Sequence, residues 1–172
     1  MNEIKLIEIL HSKMDILFVA LNPPETSNRN GHYFSRNLSF WNLLFDAGLI
    51  TQRVKSPLTG DDEVFRNNAI NYKKSVYGIT DLCHDIIETN SSKVKVNSER
   101  VKRILSLLQR HEVKILCLMH EKVGKAFDFV PTLDRSNKYG LIGNIENVRI
   151  FEMPFHNASV LYKKVYYKQL ID

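Results

Sequence analysis

Two apolar runs in this sequence stop at proline and are followed by polar side chains. The run at residues 16–21 ends at Asn22, which two prolines follow, and the run at residues 148–153 ends at a proline shortly before His156 and Asn157. Because proline cannot donate to a sheet ladder, each run predicts a buried strand that ends there. Amide and imidazole groups at the ends of two parallel strands would face one crevice, where open α/β sheets bind their ligands.

The segment that follows Asn22 adds a flat ring and further polar groups. It is a polar loop in which His32 precedes Phe34 by two residues. At the other end of the chain, the basic C-terminal helix carries Lys163 and Lys164 at the expected rim of the same crevice. An aromatic ring offers a stacking surface, and polar edges offer hydrogen bonds. The residues therefore predict a small pocket that stacks a planar, polar molecule.

Strands and helices alternate along the chain around these segments. Continuous apolar runs predict buried strands, and apolar residues at helical spacing predict amphipathic helices. The predicted strands cover residues 16–21, 113–119 and 148–153, and residues 76–82 are either a further strand or an extended segment. The predicted helices cover residues 2–13, 38–48, part of 61–71, 98–112, 121–129 and 160–171. Ser98 is the predicted helix cap, residues 88–97 are a predicted loop, and residues 131–147 are an irregular segment or a hairpin.

This alternation predicts an α/β fold, specifically a three-layer α/β/α sandwich with a central, mostly parallel sheet. A chain of 172 residues is long enough to bury a proper core, and we expect a single domain over residues 1–172. Its content of 44% hydrophobic and 25% charged residues is typical of a soluble globular protein. The net charge of +5 mildly favours a polyanionic partner.

The cysteine count excludes two kinds of metal centre. Cys83 and Cys117 are the only cysteines, too few for a four-cysteine zinc site or an all-cysteine iron–sulfur cluster within one chain. Both lie in apolar surroundings, which predicts buried thiols in a reducing compartment. No apolar run has the length of a membrane span, so we expect a cytoplasmic protein with access to the nucleoid and no membrane partner.

The first proline-terminated strand and the segment after it resemble the uracil-DNA glycosylase superfamily, and most closely its mismatch-specific uracil/thymine-DNA glycosylase branch. The specific part of the resemblance is Leu21-Asn22-Pro23, then Ser27, Gly31 and Phe34 at fixed distance, then Phe40-Trp41 and Ala47-Gly48. It continues more weakly through residues 77–82, the strand at 113–119 with its helix, and a second motif at 153–159.

The resemblance implies a monofunctional glycosylase that hydrolyses the N-glycosidic bond of uracil, or of a related deaminated or mispaired base, flipped out of DNA. The implied partner is DNA carrying that base, with no cofactor, no metal and a monomeric protein. Asn22 would position the attacking water and Phe34 would stack on the base. His156 or Asn157 would donate a hydrogen bond to the departing base. The other implied contacts are Ser27, His32 and Asp81 in the pocket wall and Ala158, Ser159, Lys163 and Lys164 against DNA.

Three departures from the family pattern keep a second function open. Ala20 and Pro24 stand where the family has glycine, and the second motif lacks the usual Asn-Pro-Ser-Gly or His-Pro-Ser-Pro core. Pro24 removes a backbone N–H that could touch the base or the water. The alternative is therefore a member that binds nucleic acid or a nucleobase-like ligand without cleaving it. An unrelated nucleotide-binding domain is disfavoured because the chain has no Walker loop and no Gly-x-Gly-x-x-Gly turn.

Overall fold

A five-stranded sheet forms the centre of the protein in a computed structural model, which describes residues 3–154 and 157–172. The strands run in the spatial order β2-β1-β3-β5-β4, and all neighbours are parallel except β4, which is antiparallel to β5. This confirms the predicted α/β fold with a mostly parallel sheet. The strands are β1 (Lys13–Ala20), β2 (Tyr77–Asp81), β3 (Glu112–Leu118), β4 (Gly140–Ile145) and β5 (Val148–Glu152).

Five α-helices connect or follow the described strands. They are α1 (Glu25–Asn30), α2 (Ser39–Asp46), α3 (Ser98–Arg110), α4 (Glu121–Ala126) and α5 (Val160–Lys168). Shorter helical turns are a π-helical turn at Asp62–Arg66 and 3₁₀ turns at Tyr72–Lys74, Ser91–Lys93 and Gln169–Ile171. Among the described residues, no helix combines the length and the apolar character needed to cross a membrane.

The side chains of β1 show why the sheet needs cover on both faces. Ile16 and Phe18 point into a core shared with α2 and α5, whereas Leu17 and Val19 point into a second core shared with α3 and α4. Successive strand residues face opposite sides, so an uninterrupted apolar run must be buried on both. Helices on the two faces complete the three predicted layers.

The N-terminal segment is not the predicted helix. Residues 3–10 contain no helical turn, and Ile9 forms an antiparallel bridge with Ile79, with N···O distances of 3.0 and 2.9 Å. The Asn28 side chain holds the segment from the other side, because its oxygen accepts from the backbone N–H groups of Lys5 and Leu6 at 2.8 and 3.1 Å. The segment thus covers the open edge of β2, where unpaired backbone groups would otherwise remain. Of the apolar residues in this segment, Leu6 and Ile9 are buried and Ile4 and Ile7 are exposed, so their spacing does not mark the buried face of a helix.

The segment after Asn22, predicted as a polar loop, contains the short helix α1, and the other elements differ from the predictions in detail only. The cap of α3 is Asn97 and not Ser98, since the Asn97 side chain accepts from the backbone N–H of Arg100 at 3.2 Å. Residues 131–139 are irregular, and β4 pairs with the following strand β5 in a hairpin, so each of the two options left open for residues 131–147 describes part of the segment.

Candidate functional site

A cavity of about 500 Å³ lies at the carboxyl ends of β1 and β3. Ala20 and Asn22 line it at the end of β1, and Met119 and His120 line it at the end of β3. Pro154, which follows β5, forms a further part of its wall. The cavity therefore sits at the crevice that the two proline-terminated strands predict, and its size is within the usual range of small-molecule sites.

Asn22 is held at the cavity in one orientation. Its Nδ2 lies within hydrogen-bond distance of three backbone carbonyls, those of Pro23 at 3.2 Å, Ile86 at 3.0 Å and Glu88 at 2.8 Å, which share its two N–H groups. Exchanging the amide nitrogen and oxygen would place Oδ1 against three carbonyl oxygens, so these contacts assign the positions of Nδ2 and Oδ1. Asn22 is only 8% exposed, and no donor among the described residues bonds its Oδ1. The oxygen is the atom of this side chain left to accept a hydrogen bond from a ligand or a water.

The connection between β2 and α3 forms one wall of the cavity and also fixes Asn22. The backbone N–H of Glu88 donates to Pro23 at 3.1 Å, and the Thr89 hydroxyl accepts from the backbone N–H of Glu25 at 3.2 Å. Farther along, the Lys122 ammonium donates to the carbonyl of Ser91 at 2.5 Å. Glu88, Thr89 and Ser91 all line the cavity. Sequence patterns describe this stretch only as a loop, because these hydrogen bonds join residues far apart in the chain.

An aromatic wall faces the same space. Phe34 and Phe40 both line the cavity and stack on each other, with ring centroids 3.9 Å apart and planes 26° from parallel. The Trp41 indole N–H donates to the Phe34 carbonyl at 3.3 Å. Phe34 has a φ of 51°, in the left-handed region that aromatic residues rarely adopt. Its neighbours impose this conformation, which puts the predicted stacking residue at the cavity.

The other lining side chains include a buried hydroxyl and two cations. Ser27, on α1, is 3% exposed and its Oγ lies 3.4 Å from Ser35 Oγ. Arg36 lines the cavity from the loop before α2, and Lys163 lines it from α5. Partial burial lowers the pKa of the Lys163 ammonium. The cavity therefore offers positive charge near its aromatic wall.

His120 is a lining residue that the sequence analysis does not single out. It caps α4, and its Nδ1 accepts from the backbone N–H of Lys122 at 3.0 Å. In the neutral imidazole this contact puts the proton on Nε2. The signal that would have found it is its position after β3, because strand ends on both sides of a parallel crevice supply ligand contacts.

Two predicted wall residues lie elsewhere. His32 does not line the cavity; its Nδ1 lies 2.9 Å from Asp61 Oδ1. Asp81 does not line it either; its carboxylate accepts from the Tyr33 hydroxyl at 3.2 Å, and its backbone carbonyl accepts from Arg103. Both side chains instead form hydrogen bonds away from the cavity lining, because the fold places Asp61 beside His32 and Tyr33 beside Asp81.

The segment before α5 carries four of the predicted site residues, His156, Asn157, Ala158 and Ser159. His156, one of the two predicted contacts to the departing base, lies outside the described residues. Asn157 is exposed and Ala158 is half-buried, and neither belongs to the described cavity lining. Ser159 caps α5 by accepting from the backbone N–H of Tyr162 at 3.2 Å, and Lys164 is exposed on that helix.

A histidine–carboxylate cluster lies behind the aromatic wall. His32, Asp61 and Asp62 each offer a ligand atom, and these atoms lie within 4.8 Å of one another. Both Asp61 oxygens are engaged, one by His32 and the other by the backbone N–H of Tyr33 at 2.9 Å. Asp62 accepts from Arg66 at 2.9 Å. Since every member has a protein partner, the cluster braces the loop that carries Phe34.

No protein-family model matches this chain, and no curated protein matches it. The case for a function therefore depends on the cavity residues described above and on the resemblance carried by the segment from Leu21 to Gly48.

Proposed function

We propose that this protein is a DNA glycosylase that hydrolyses the N-glycosidic bond of uracil, or of a related deaminated or mispaired base, flipped out of DNA. The observation that carries the proposal is Asn22, whose amide nitrogen is held by three carbonyls while its oxygen is left to accept a hydrogen bond at the cavity. This is the arrangement that a side chain needs to hold an attacking water in one place.

Asn22 acts on the water by orientation. An amide is too weak a base to remove a proton, but the sugar in this reaction develops oxocarbenium character and needs little nucleophilic push. Stabilising the departing base carries more of the barrier. That contact falls to His156 or Asn157, as the second motif implies, and variants at the two positions distinguish them.

The rest of the cavity supports a flipped nucleotide as the substrate. The Phe34 and Phe40 rings form a flat apolar wall, and a flipped base is bound by stacking together with hydrogen bonds to its edge. Arg36 and Lys163 line the same cavity and supply charge for backbone phosphates. The net charge of +5 has the sign that binding to DNA requires.

The proposal is tested by base release from labelled oligonucleotides, single- and double-stranded, that carry uracil, hypoxanthine, xanthine or mispaired thymine. Alkali converts each abasic site into a strand break. We expect the wild-type protein to cleave at least one substrate, and Asn22→Ala to cleave it about a hundredfold more slowly or less, because the water loses its fixed position.

The matched control is Asn42→Ala, an asparagine on α2 whose side chain contacts Arg53 and not the cavity. Thermal unfolding of both variants separates a catalytic loss from misfolding, since Asn22→Ala also removes the donor of three hydrogen bonds. Full activity in a folded Asn22→Ala protein would contradict the proposal, as would a wild-type protein that releases none of these bases.

A second function is favoured by Pro24. This residue lines the cavity and has no backbone N–H to offer to a base or a water. A protein that binds DNA or a nucleobase-like ligand without cleaving it would tolerate that loss. Tight binding of uracil-containing DNA by wild-type protein, with no base release from any substrate, would establish this function in place of the first.

A further inference from the structure

Helix α5 keeps much of its apolar surface in contact with solvent. Nine large hydrophobic side chains are exposed among the described residues, and four of them lie on this helix: Val160, Leu161, Tyr162 and Val165. Leu161 is 74% exposed, although the same helix buries Tyr167 in the core. Apolar surface concentrated in one place marks a site of interaction with another molecule.

Three tyrosine rings form a cluster on this helix and the segment beside it. Tyr162 and Tyr166 lie one turn apart on α5, with ring centroids 5.3 Å apart. Tyr139, in the segment before β4, lies 6.1 Å from Tyr162 and 5.6 Å from Tyr166. All three pairs meet edge to face, at 69° to 79° between planes, so no ring of the tyrosine cluster is stacked on another. With Tyr162 45% exposed, the cluster offers a ring face to a flat ligand.

The surroundings of the tyrosine cluster are positively charged. Helix α5 carries three lysines, Lys163, Lys164 and Lys168. The sequence has no aspartate or glutamate from residue 153 to residue 171, and the Lys138 ammonium lies 5.3 Å from the centre of the Tyr139 ring. Aromatic rings interleaved with cations suit single-stranded nucleic acid, because its bases stack on the rings while its phosphates pair with the cations.

The helix that carries the cluster also reaches the cavity. Lys163 and Tyr167 line the cavity, and each directly follows a tyrosine of the cluster, Tyr162 and Tyr166. Consecutive residues of a helix are about 100° apart around its axis, so the cavity and the cluster occupy adjacent faces of α5. A DNA strand with one nucleotide in the cavity would therefore continue along the face that carries the tyrosines.

We propose that the tyrosine cluster binds single-stranded DNA, with unpaired bases that flank the target nucleotide stacked on its rings; the choice of DNA rests on the proposed glycosylase function. The proposal names the substrate class, since a duplex keeps its bases stacked on each other and offers this surface only its phosphates. The lysines of α5 contact phosphates in either form of DNA, whereas the rings discriminate between the two forms.

The test variants are Tyr162→Ala, which removes the ring, and Tyr162→Phe, which keeps it. The matched control is Tyr72→Ala, because Tyr72 also has a lysine ammonium near its ring, that of Lys73 at 5.2 Å. Tyr72 lies in the turn before β2, at the amino-terminal edge of the sheet, and does not line the cavity. Fluorescence anisotropy measures binding of a labelled oligothymidine without any deaminated base, alone and annealed to its complement. Thermal unfolding shows that each variant is folded.

We expect wild type to bind the single strand more tightly than the duplex. Tyr162→Ala should weaken single-strand binding about tenfold and duplex binding less than about twofold, because only unpaired bases lose a stacking partner. Tyr162→Phe and Tyr72→Ala should match wild type. Wild-type single-strand affinity in Tyr162→Ala, equal losses on both forms of DNA, or a Tyr162→Phe protein as weak as Tyr162→Ala would each overturn the proposal.

The experiment also separates this surface from other occupants and from the proposed function. A wild-type dimer in analytical ultracentrifugation that Leu161→Asp dissociates would assign the face to a second copy of the chain and overturn the proposal. A protein that binds the single strand through Tyr162 but releases no base keeps this surface and loses the glycosylase function. A protein that releases base, with single-strand affinity unchanged in Tyr162→Ala, keeps the glycosylase function and loses this surface.

Discussion

Asn22 and Asp81 stand at the ends of two adjacent parallel strands but have opposite surroundings. Ala20 at the end of β1 is the register partner of Asp81 at the end of β2, so the two polar residues emerge at the same edge of the sheet. Asn22 is bonded to backbone carbonyls and lines the cavity, whereas Asp81 is bonded to side chains and does not. Position at a strand end therefore does not suffice for a place in this site.

The burial of Asp81 has an electrostatic consequence. Desolvation raises the pKa of Asp81 to about 7, although the Tyr33 hydroxyl and the Arg103 guanidinium act in the other direction. Arg103 also pairs with Glu8 at 2.9 Å. Tyr33 bonds the Asp81 carboxylate, and Arg103 bonds the Asp81 backbone carbonyl together with Glu8, so the four residues form a connected chain of contacts outside the cavity lining. The comparison indicates that one strand end contributes a side chain to the cavity and the other contributes to the structure around it.

Tyr33 joins the two regions. Its hydroxyl donates to Asp81 at 3.2 Å and its backbone N–H donates to Asp61 at 2.9 Å, while the next residue, Phe34, stands in the cavity wall. The first contact holds the end of the tyrosine side chain, and the second holds its backbone. The network at Asp81 can therefore affect the cavity through the placement of Phe34.

The largest effect on stability is expected from Arg103→Met. This change leaves the half-buried Glu8 without its ion-pair partner and removes the hydrogen bonds from Arg103 to Thr80 and to the Asp81 backbone carbonyl. Together these losses should cost about 2 kcal/mol of unfolding free energy. The control is Arg110→Met at the exposed end of the same helix. Chemical denaturation measures both variants. A loss at Arg103 no greater than that at Arg110 would show that the network does not hold the fold.

A pH-dependent effect is expected from Asp81→Asn. The folded-state pKa lies above the unfolded value, so Asp81 contributes most to stability below about pH 4, and this contribution falls as the pH rises to about 7. The free energy of unfolding of wild type, minus that of the variant, should therefore decrease across this range and stay level above it. Denaturation at several pH values measures the difference. A difference that increases with pH would contradict the raised pKa.

A smaller effect is expected from Tyr33→Phe, which tests the link between the regions. Losing the hydroxyl should cost about 1 kcal/mol of stability and raise the pKa of Asp81 further, because the lost hydrogen bond favours the carboxylate. Since the backbone contact to Asp61 remains, Phe34 keeps its place and base release should stay within about twofold of wild type. A Tyr162→Phe variant on the exposed side of α5 is the comparison. A large loss of cleavage would mean that Asp81 acts on the cavity directly.

The smallest effect is expected from the two predicted DNA-contacting lysines. Lys163 lines the cavity and Lys164 does not, so Lys163→Gln should weaken DNA binding several-fold and reduce the slope of log affinity against log salt by about 1. Lys164→Gln should change the slope less. Binding titrations at several salt concentrations provide the measurement. Equal slopes for both variants would remove Lys163 from the phosphate contacts.

The predictions that succeeded depend on local patterns. The apolar runs of β1 and β3 are buried on both faces, and the stripe with Val101 and Ile104 is the buried face of α3. Asn22, Ser27 and Phe34 line one cavity, as the sequence predicts for the segment after the first strand. The N-terminal helix failed because the same apolar spacing suits a segment that pairs with Ile79 on β2.

The sequence by itself determined where strands end and which polar side chains follow them, because prolines and apolar runs act over a few neighbouring residues. Only the tertiary structure decided which of those side chains enter the cavity. Glu88 joins Asn22 across 66 residues of chain, and Asp81 is withdrawn by Tyr33 across 48. Hydrogen bonds of this span leave no periodic signal in sequence, since each depends on the folded position of two distant segments.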